Sequence, residues 1–201
     1  MRRRPPRYAR SDLTLANFFT GARLLLIPVF GWLWATGDDA RALWVFGVAV
    51  ATDLVDGFLA RYLNQESRLG ALLDPIADKF LMLVSLVVGV YVGAVPLWLA
   101  ACVIARDALL AGGALAFALI WRGRHEPREW RPTRIGKYAM FLQSSSIAAA
   151  ILEDLLHPRG FGPWLQVVMV MTAALTILAG AQYAARAALA LWRRPAPRSP
   201  H

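Results

Sequence analysis

The sequence predicts an all-α membrane protein in which six transmembrane helices form one bundle. Three observations predict it. The 201-residue chain is 58% hydrophobic with a mean hydropathy of +0.46, too apolar for an ordinary soluble domain and long enough for about six spans of about 20 residues. Its apolar runs are separated by short links of Gly, Pro and charged residues. Its basic residues alternate from link to link, as positive-inside asymmetry requires, so the net charge of +9 reports topology and no nucleic-acid partner is expected.

Residues 1–14 read as a basic cytoplasmic segment, 15–192 as the six-helix domain and 193–201 as a basic tail. The first ten residues, MRRRPPRYAR, are followed by no small-residue cleavage site, so a cytoplasmic anchor on anionic lipid is favoured over a signal peptide. A mitochondrial targeting segment is the weaker alternative, because Pro5 and Pro6 interrupt any amphipathic helix. Ser11 or Asp12 can cap a short interfacial helix ahead of the first span.

The first span is expected over 15–34, with Asn17, Thr20 and Arg23 recurring every three residues on one face. A snorkelling polar stripe and a functional face are even readings of that pattern. After a turn at 37–40 carrying Asp38 and Asp39, the second span runs over 42–62, and the polar link 64–68 folds it back onto a third over 69–92. Pro75 in the third span frees a carbonyl and is expected to bend the helix beside Asp74. A turn at 93–96 leads to the fourth span, 97–121, where Arg106 and Asp107 are adjacent, point in different directions, and are expected to pair separately with neighbouring helices. The long basic loop 122–137 precedes a fifth span over 135–156, with Gln143, Ser144, Ser145 and Ser146 giving it a face suited to interhelical hydrogen bonds. A loop over 153–163 and a sixth span over 164–192 complete the chain. Cys102 alone permits no intramolecular disulfide, and His125, His157 and His201 are too scattered for a histidine metal site. Arginines crowd the segments assigned inside, whereas only Arg41 and Arg159 fall outside, which predicts both termini in the cytoplasm.

The chemistry concentrates between residues 53 and 78. Asp53 and Asp56 are three apart, Asp74 and Asp78 four apart, so each pair shares a helix face. At 1.5 Å per residue, the first pair lies about 9 to 14 Å before the link and the second about 7 to 13 Å after it, so the two pairs meet at one level. Each ionisable group in a bilayer costs at least about 2.5 to 3.5 kcal/mol, and four like charges need compensation. Two hard divalent cations, Mg2+ or Mn2+, would supply it through carboxylate oxygens.

Asp53, Asp56, Gly57, Ala60, Arg61, Gly70, Asp74 and Asp78 meet the spacing D-x2-D-G-x2-A-R-x8-G-x3-D-x3-D in full. This resembles the signature of the CDP-alcohol phosphatidyltransferases, membrane enzymes that make phospholipid head groups. The resemblance implies that the four aspartates hold the two cations and that Asp78 doubles as general base. It also implies that Gly57, Ala60, Arg61 and Gly70, with Asn17 and Thr20 of the first span, shape the nucleotide pocket. Small residues such as Gly57 and Ala60 also serve close helix packing, and both uses are compatible.

Arg134 and Lys137, at the start of the fifth span, suggest with Arg23 and Lys79 an acceptor that carries phosphate. DPIADK, the Arg106-Asp107 pair and PTRIGKYAMFLQ are similar to the cardiolipin synthase and phosphatidylglycerophosphate synthase branch. Tyr138-Ala139 departs from its Lys-x-x-Thr pattern. The implied donor is CDP-diacylglycerol. The implied acceptor is phosphatidylglycerol, slightly favoured, or glycerol-3-phosphate, in a bacterial inner membrane. Small-residue faces such as residues 111–114 permit a homodimer. A cation carrier or channel also places carboxylates in helices, but does not require the Gly57, Ala60, Arg61 and Gly70 spacing and shows no inverted repeat of it. A noncatalytic scaffold would not need all four aspartates.

Overall fold

The computed structural model describes residues 15–63, 68–120, 133–156 and 162–192, and all of these except the connecting turns are helical. Six helices follow in order: α1 (Leu15–Ala35), α2 (Asp39–Leu63), α3 (Arg68–Val92), α4 (Leu97–Ile120), α5 (Arg134–Leu156) and α6 (Pro163–Trp192). Each lies within a few residues of an expected span. Three are long and apolar enough to cross a membrane on their described residues, over Leu73–Val92, Ile135–Leu156 and Pro163–Arg186, and the apolar stretch Thr20–Ala35 is shorter. Bulky apolar side chains such as Phe80, Leu83 and Val87 on α3 and Val167, Val170 and Met171 on α6 are exposed, as lipid-facing residues are.

The turns differ from expectation in instructive ways. Gly37 adopts φ +82°, and the amides of Gly37 and Asp38 donate to the carbonyls of Trp34 and Leu33, so α1 ends in a left-handed glycine cap. Asp38 then accepts the Arg41 amide on its side chain and the Ala42 amide on its carbonyl, starting α2 at Asp39, inside the expected turn. Asp39 thereby sits in the first helical turn, where the helix dipole favours a carboxylate. Gly93, at φ +85°, ends α3 in the same way. Helix α3 runs through Pro75 as one element. At the other end of the chain, Glu153 belongs to α5 and Pro163 to α6, so their connection is shorter than the 153–163 loop expected. Buried Glu153 clips that connection, accepting the Gly162 amide and the Trp164 indole N–H at 2.9 Å each.

Two compact units are present. The first comprises residues 1–96 and 147–165, and in it α1 packs on both α2 and α3. Its core is built on Ile27, Phe30, Trp34, Phe46 and Ala49, with the Phe30 and Phe46 rings 5.3 Å apart. Glycine makes the α1–α3 approach possible, since a Cβ on Gly31 would lie 2.9 Å from Val84 and one on Gly89 would lie 2.6 Å from Val95 and 2.9 Å from Trp34. The second unit comprises residues 97–146 and 166–201. Here α5 and α6 are joined by neutral hydrogen bonds: Gln143 Nε2 donates to Thr176 Oγ1 at 2.9 Å, and the Ser146 and Thr172 hydroxyls share a bond. The polar face expected of α5 therefore does bond between helices. Arg106 corrects an expectation: its guanidinium pairs with adjacent Asp107 at 2.7 Å. The long arginine stem lets the head reach back along its own helix, which offsets a charge that is only 5% exposed.

Candidate active site

Helix α1 organises the carboxylates. Thr20 and Arg23, three residues apart, fall on one face, and both are buried. Thr20 Oγ1 donates to Asp74 Oδ1 of α3 at 2.5 Å, and Arg23 Nη1 donates to Asp53 Oδ1 of α2 at 2.5 Å. One turn of α1 thus touches one aspartate from each half of the signature, Asp53 and Asp74; the side chain of Asp56, needed to compare the two pairs, lies outside the described residues. Each carboxylate gains a donor, and Asp53 also gains a counter-charge. Burying a guanidinium costs several kcal/mol unless it is paired and hydrogen-bonded, so Arg23 at 1% exposure is best accommodated where Asp53 stands.

The remaining site residues divide by what the structure describes. Asp78 lies one turn beyond Asp74 on α3 and is half-buried, while neighbouring Lys79 is exposed. The side chains of Asn17, Asp56, Gly57, Ala60, Arg61, Gly70 and Arg134 lie outside the described residues. Lys137 is exposed on α5, in the second unit. Beside it, Thr133 caps α5: its hydroxyl accepts the Gly136 amide at 2.9 Å, and its own amide donates to the Tyr183 hydroxyl at 3.1 Å. Sequence reading passed over that cap, although a threonine directly before an apolar helical run, with Pro132 ahead of it, signals one. It also passed over the pairing of Arg23 with Asp53, for which the three-residue recurrence on the first span was the available sign.

Among the described residues, no three acidic, His or Cys side chains are grouped closely enough to hold a metal ion. The donor chemistry nevertheless suits a hard divalent cation, because Asp53 and Asp74 present carboxylate oxygens beside one turn of α1 and Asp53 is 47% exposed. Such a surface can receive cations and, through them, the oxygens of a phosphate.

The chain is similar in sequence to known proteins. The human cardiolipin synthase (CMP-forming) is 32% identical over 192 residues, which are 89% of this chain and 63% of that protein. The chain therefore spans about three fifths of that relative's length. A probable phosphatidylglycerophosphate synthase of Mycobacterium tuberculosis is 34% identical over 86% of this chain and 81% of its own length. A putative cardiolipin synthase of Mycobacterium bovis is 42% identical over 113 residues, 54% of this chain and 51% of its own length. The family model for CDP-alcohol phosphatidyltransferase matches residues 13–178, a range that includes α1, both aspartate pairs and most of α6, and the chain belongs to that family.

Proposed function

We propose that the protein transfers the phosphatidyl group of CDP-diacylglycerol to a glycerol-based acceptor and releases CMP. The observation that carries this reading is that one turn of α1 bonds an aspartate from each half of the signature, Asp74 through Thr20 and Asp53 through Arg23. Phosphatidylglycerol is the slightly favoured acceptor, giving cardiolipin, in line with the names of the human and M. bovis relatives. Glycerol-3-phosphate is the second reading, favoured by the mycobacterial phosphatidylglycerophosphate synthase, which matches over the larger share of its own length.

In this proposal Asp53, Asp56, Asp74 and Asp78 hold two divalent cations of the Mg2+ or Mn2+ type. When bound, these supply Lewis acidity at the phosphoryl oxygens and offset the charge that develops on departing CMP. The acceptor hydroxyl oxygen forms a bond to the phosphatidyl phosphorus as the bond from that phosphorus to the CMP oxygen breaks. The hydroxyl proton passes to a carboxylate, and Asp78 is assigned that role. Its place one turn beyond Asp74 lets it face the acceptor while Asp74 remains bonded to Thr20. Arg61, Gly57, Ala60 and Gly70, with Asn17 and Thr20, are assigned to the nucleotide. Lys79, Arg134 and Lys137 are assigned to the acceptor phosphate, where a flexible ammonium or planar guanidinium meets anionic oxygens.

Six spans, with the aspartates in the cytoplasmic half and both termini cytoplasmic, complete the proposal, supported by the arginine bias between links. The test is to incubate purified protein with CDP-diacylglycerol, Mg2+ and either phosphatidylglycerol or glycerol-3-phosphate, and to identify the lipid formed. Cardiolipin is expected from the first. Phosphatidylglycerophosphate from the second, with no cardiolipin, would reverse the preference. Absence of CMP release with either acceptor would reject the reaction.

A further inference from the structure

Arg23 stands in an unusual relation to the reaction proposed above. A cationic side chain on α1 rests against Asp53, one of the four carboxylates assigned to the divalent ions, with its Nη1 at 2.5 Å from Oδ1. The two partners are unequally placed: Arg23 is 1% exposed and Asp53 47%. The guanidinium is therefore held by the protein, and the carboxylate is half-exposed. Thr20, one turn away, gives Asp74 a neutral donor instead. A hydroxyl can hold a carboxylate in place while leaving its charge intact for a cation. A guanidinium on a carboxylate oxygen, as Arg23 is on Asp53, offsets that charge.

We infer that Arg23 is a tethered counter-charge for Asp53: it neutralises the carboxylate until divalent ions arrive, and their binding requires the Arg23–Asp53 pair to loosen. Arg23 is a positioning residue on this view, and its charge opposes ion binding, whereas Thr20 supports it. The geometry gives a direct reason. A unit positive charge within a few ångströms of a ligand oxygen repels an incoming dication, and a half-exposed setting only partly screens that repulsion. The pair also accounts for how Arg23 can be buried, because Asp53 supplies the counter-charge it needs.

This inference rests on the assignment of the aspartates to divalent ions, and the experiment separates the two. Mn2+ alone is titrated into purified wild-type protein, Arg23→Gln, Arg23→Lys and Asp74→Asn, with free Mn2+ read by electron paramagnetic resonance. Arg23→Gln is expected to bind Mn2+ about fivefold or more tightly than wild type, and to melt at lower temperature in EDTA. Arg23→Lys, which keeps the charge, is expected to stay within about twofold of wild type. A merely structural role would weaken binding or leave it unchanged, so either result in Arg23→Gln overturns the inference. If wild type binds no Mn2+, or Asp74→Asn binds as well as wild type, the ion assignment falls and the inference falls with it. Should Arg23→Gln fail to fold, arginine side-chain NMR of the wild type decides. The Arg23 guanidinium resonance, assigned by its loss in Arg23→Lys, is expected to shift on saturation with Mg2+, and a resonance that does not move overturns the inference.

Discussion

Two polar clusters interrupt apolar helices in this chain, and they are built on opposite principles. In the first unit, α1 meets α2 and α3 through a charged pair, Arg23 with Asp53, and a hydroxyl–carboxylate bond, Thr20 with Asp74. In the second, α5 and the residue before it meet α6 through neutral hydrogen bonds among the described residues: Gln143 with Thr176, Ser146 with Thr172, and the Thr133 amide with the Tyr183 hydroxyl. The neutral ladder is buried, and its hydroxyls also bond back to their own helices, Ser146 to the Leu142 carbonyl and Thr172 to that of Val168. Such groups satisfy one another and do little else. The charged cluster keeps Asp53 partly open and sets two carboxylates, Asp53 and Asp74, against one turn of α1, at a cost that packing alone does not require. The contrast is one of cost: the neutral ladder is explained by packing, whereas the charged cluster is what the proposed function would require.

Substitutions should separate the two accordingly. Asp74→Asn keeps an acceptor for the Thr20 hydroxyl while removing the charge, so it is expected to lower CMP release about 10²- to 10³-fold with little change in thermal stability. A large loss of stability with activity retained would reverse the roles assigned to the two clusters. Gly89→Ala acts on packing in the same unit without touching the carboxylates. Its Cβ would overlap Val95 and Trp34, and a cost of about 1 to 3 kcal/mol is expected in thermal unfolding in detergent. On the neutral ladder, a double-mutant cycle of Gln143→Leu with Thr176→Val should give a coupling of about 0.6 kcal/mol and leave CMP release close to wild type. A loss of activity beyond that of Asp74→Asn would show that the ladder takes part in the site.

The smallest effect concerns pH at the start of α2. Burial, and then the neighbouring Asp38, holds the Asp39 carboxyl above its ordinary value of 3.8. The folded state is then the tighter proton binder, so this contribution to stability is complete below the unfolded value and is lost as pH rises through the folded one. Asp39→Asn should flatten the decline of the melting temperature above about pH 4, modestly, because the group is partly solvated. An unchanged slope would remove Asp39 from the account.

Much of this was legible from residue order because membrane helices obey few rules. Apolar runs of about 20 residues with Gly and Pro between them located all six helices to within a few residues. The aspartate spacing pointed to Asp53 and Asp74, and each of them bonds to the same turn of α1. What escaped reading depended on side-chain reach. Arg106 and Asp107 point apart at Cα, and only the length of the arginine stem lets them pair. Glu153 closes the α5–α6 connection from within a helix, because its carboxylate accepts two donors from across the turn. Asp38 starts α2 earlier than the charge pattern suggested because its side chain caps the helix. For the Thr20 and Arg23 stripe, burial speaks against snorkelling, since a snorkelling arginine would be exposed at its head and Arg23 is buried.

The most direct test is CMP release from CDP-diacylglycerol by the purified protein as Mg2+ is titrated in from an EDTA-treated state, with Asp53→Asn and Asp74→Asn in parallel. The account predicts that release rises from background to saturation with Mg2+ in the wild type and stays near background in both variants. Release at the full rate in EDTA, or an undiminished Mg2+ response in either variant, would contradict it.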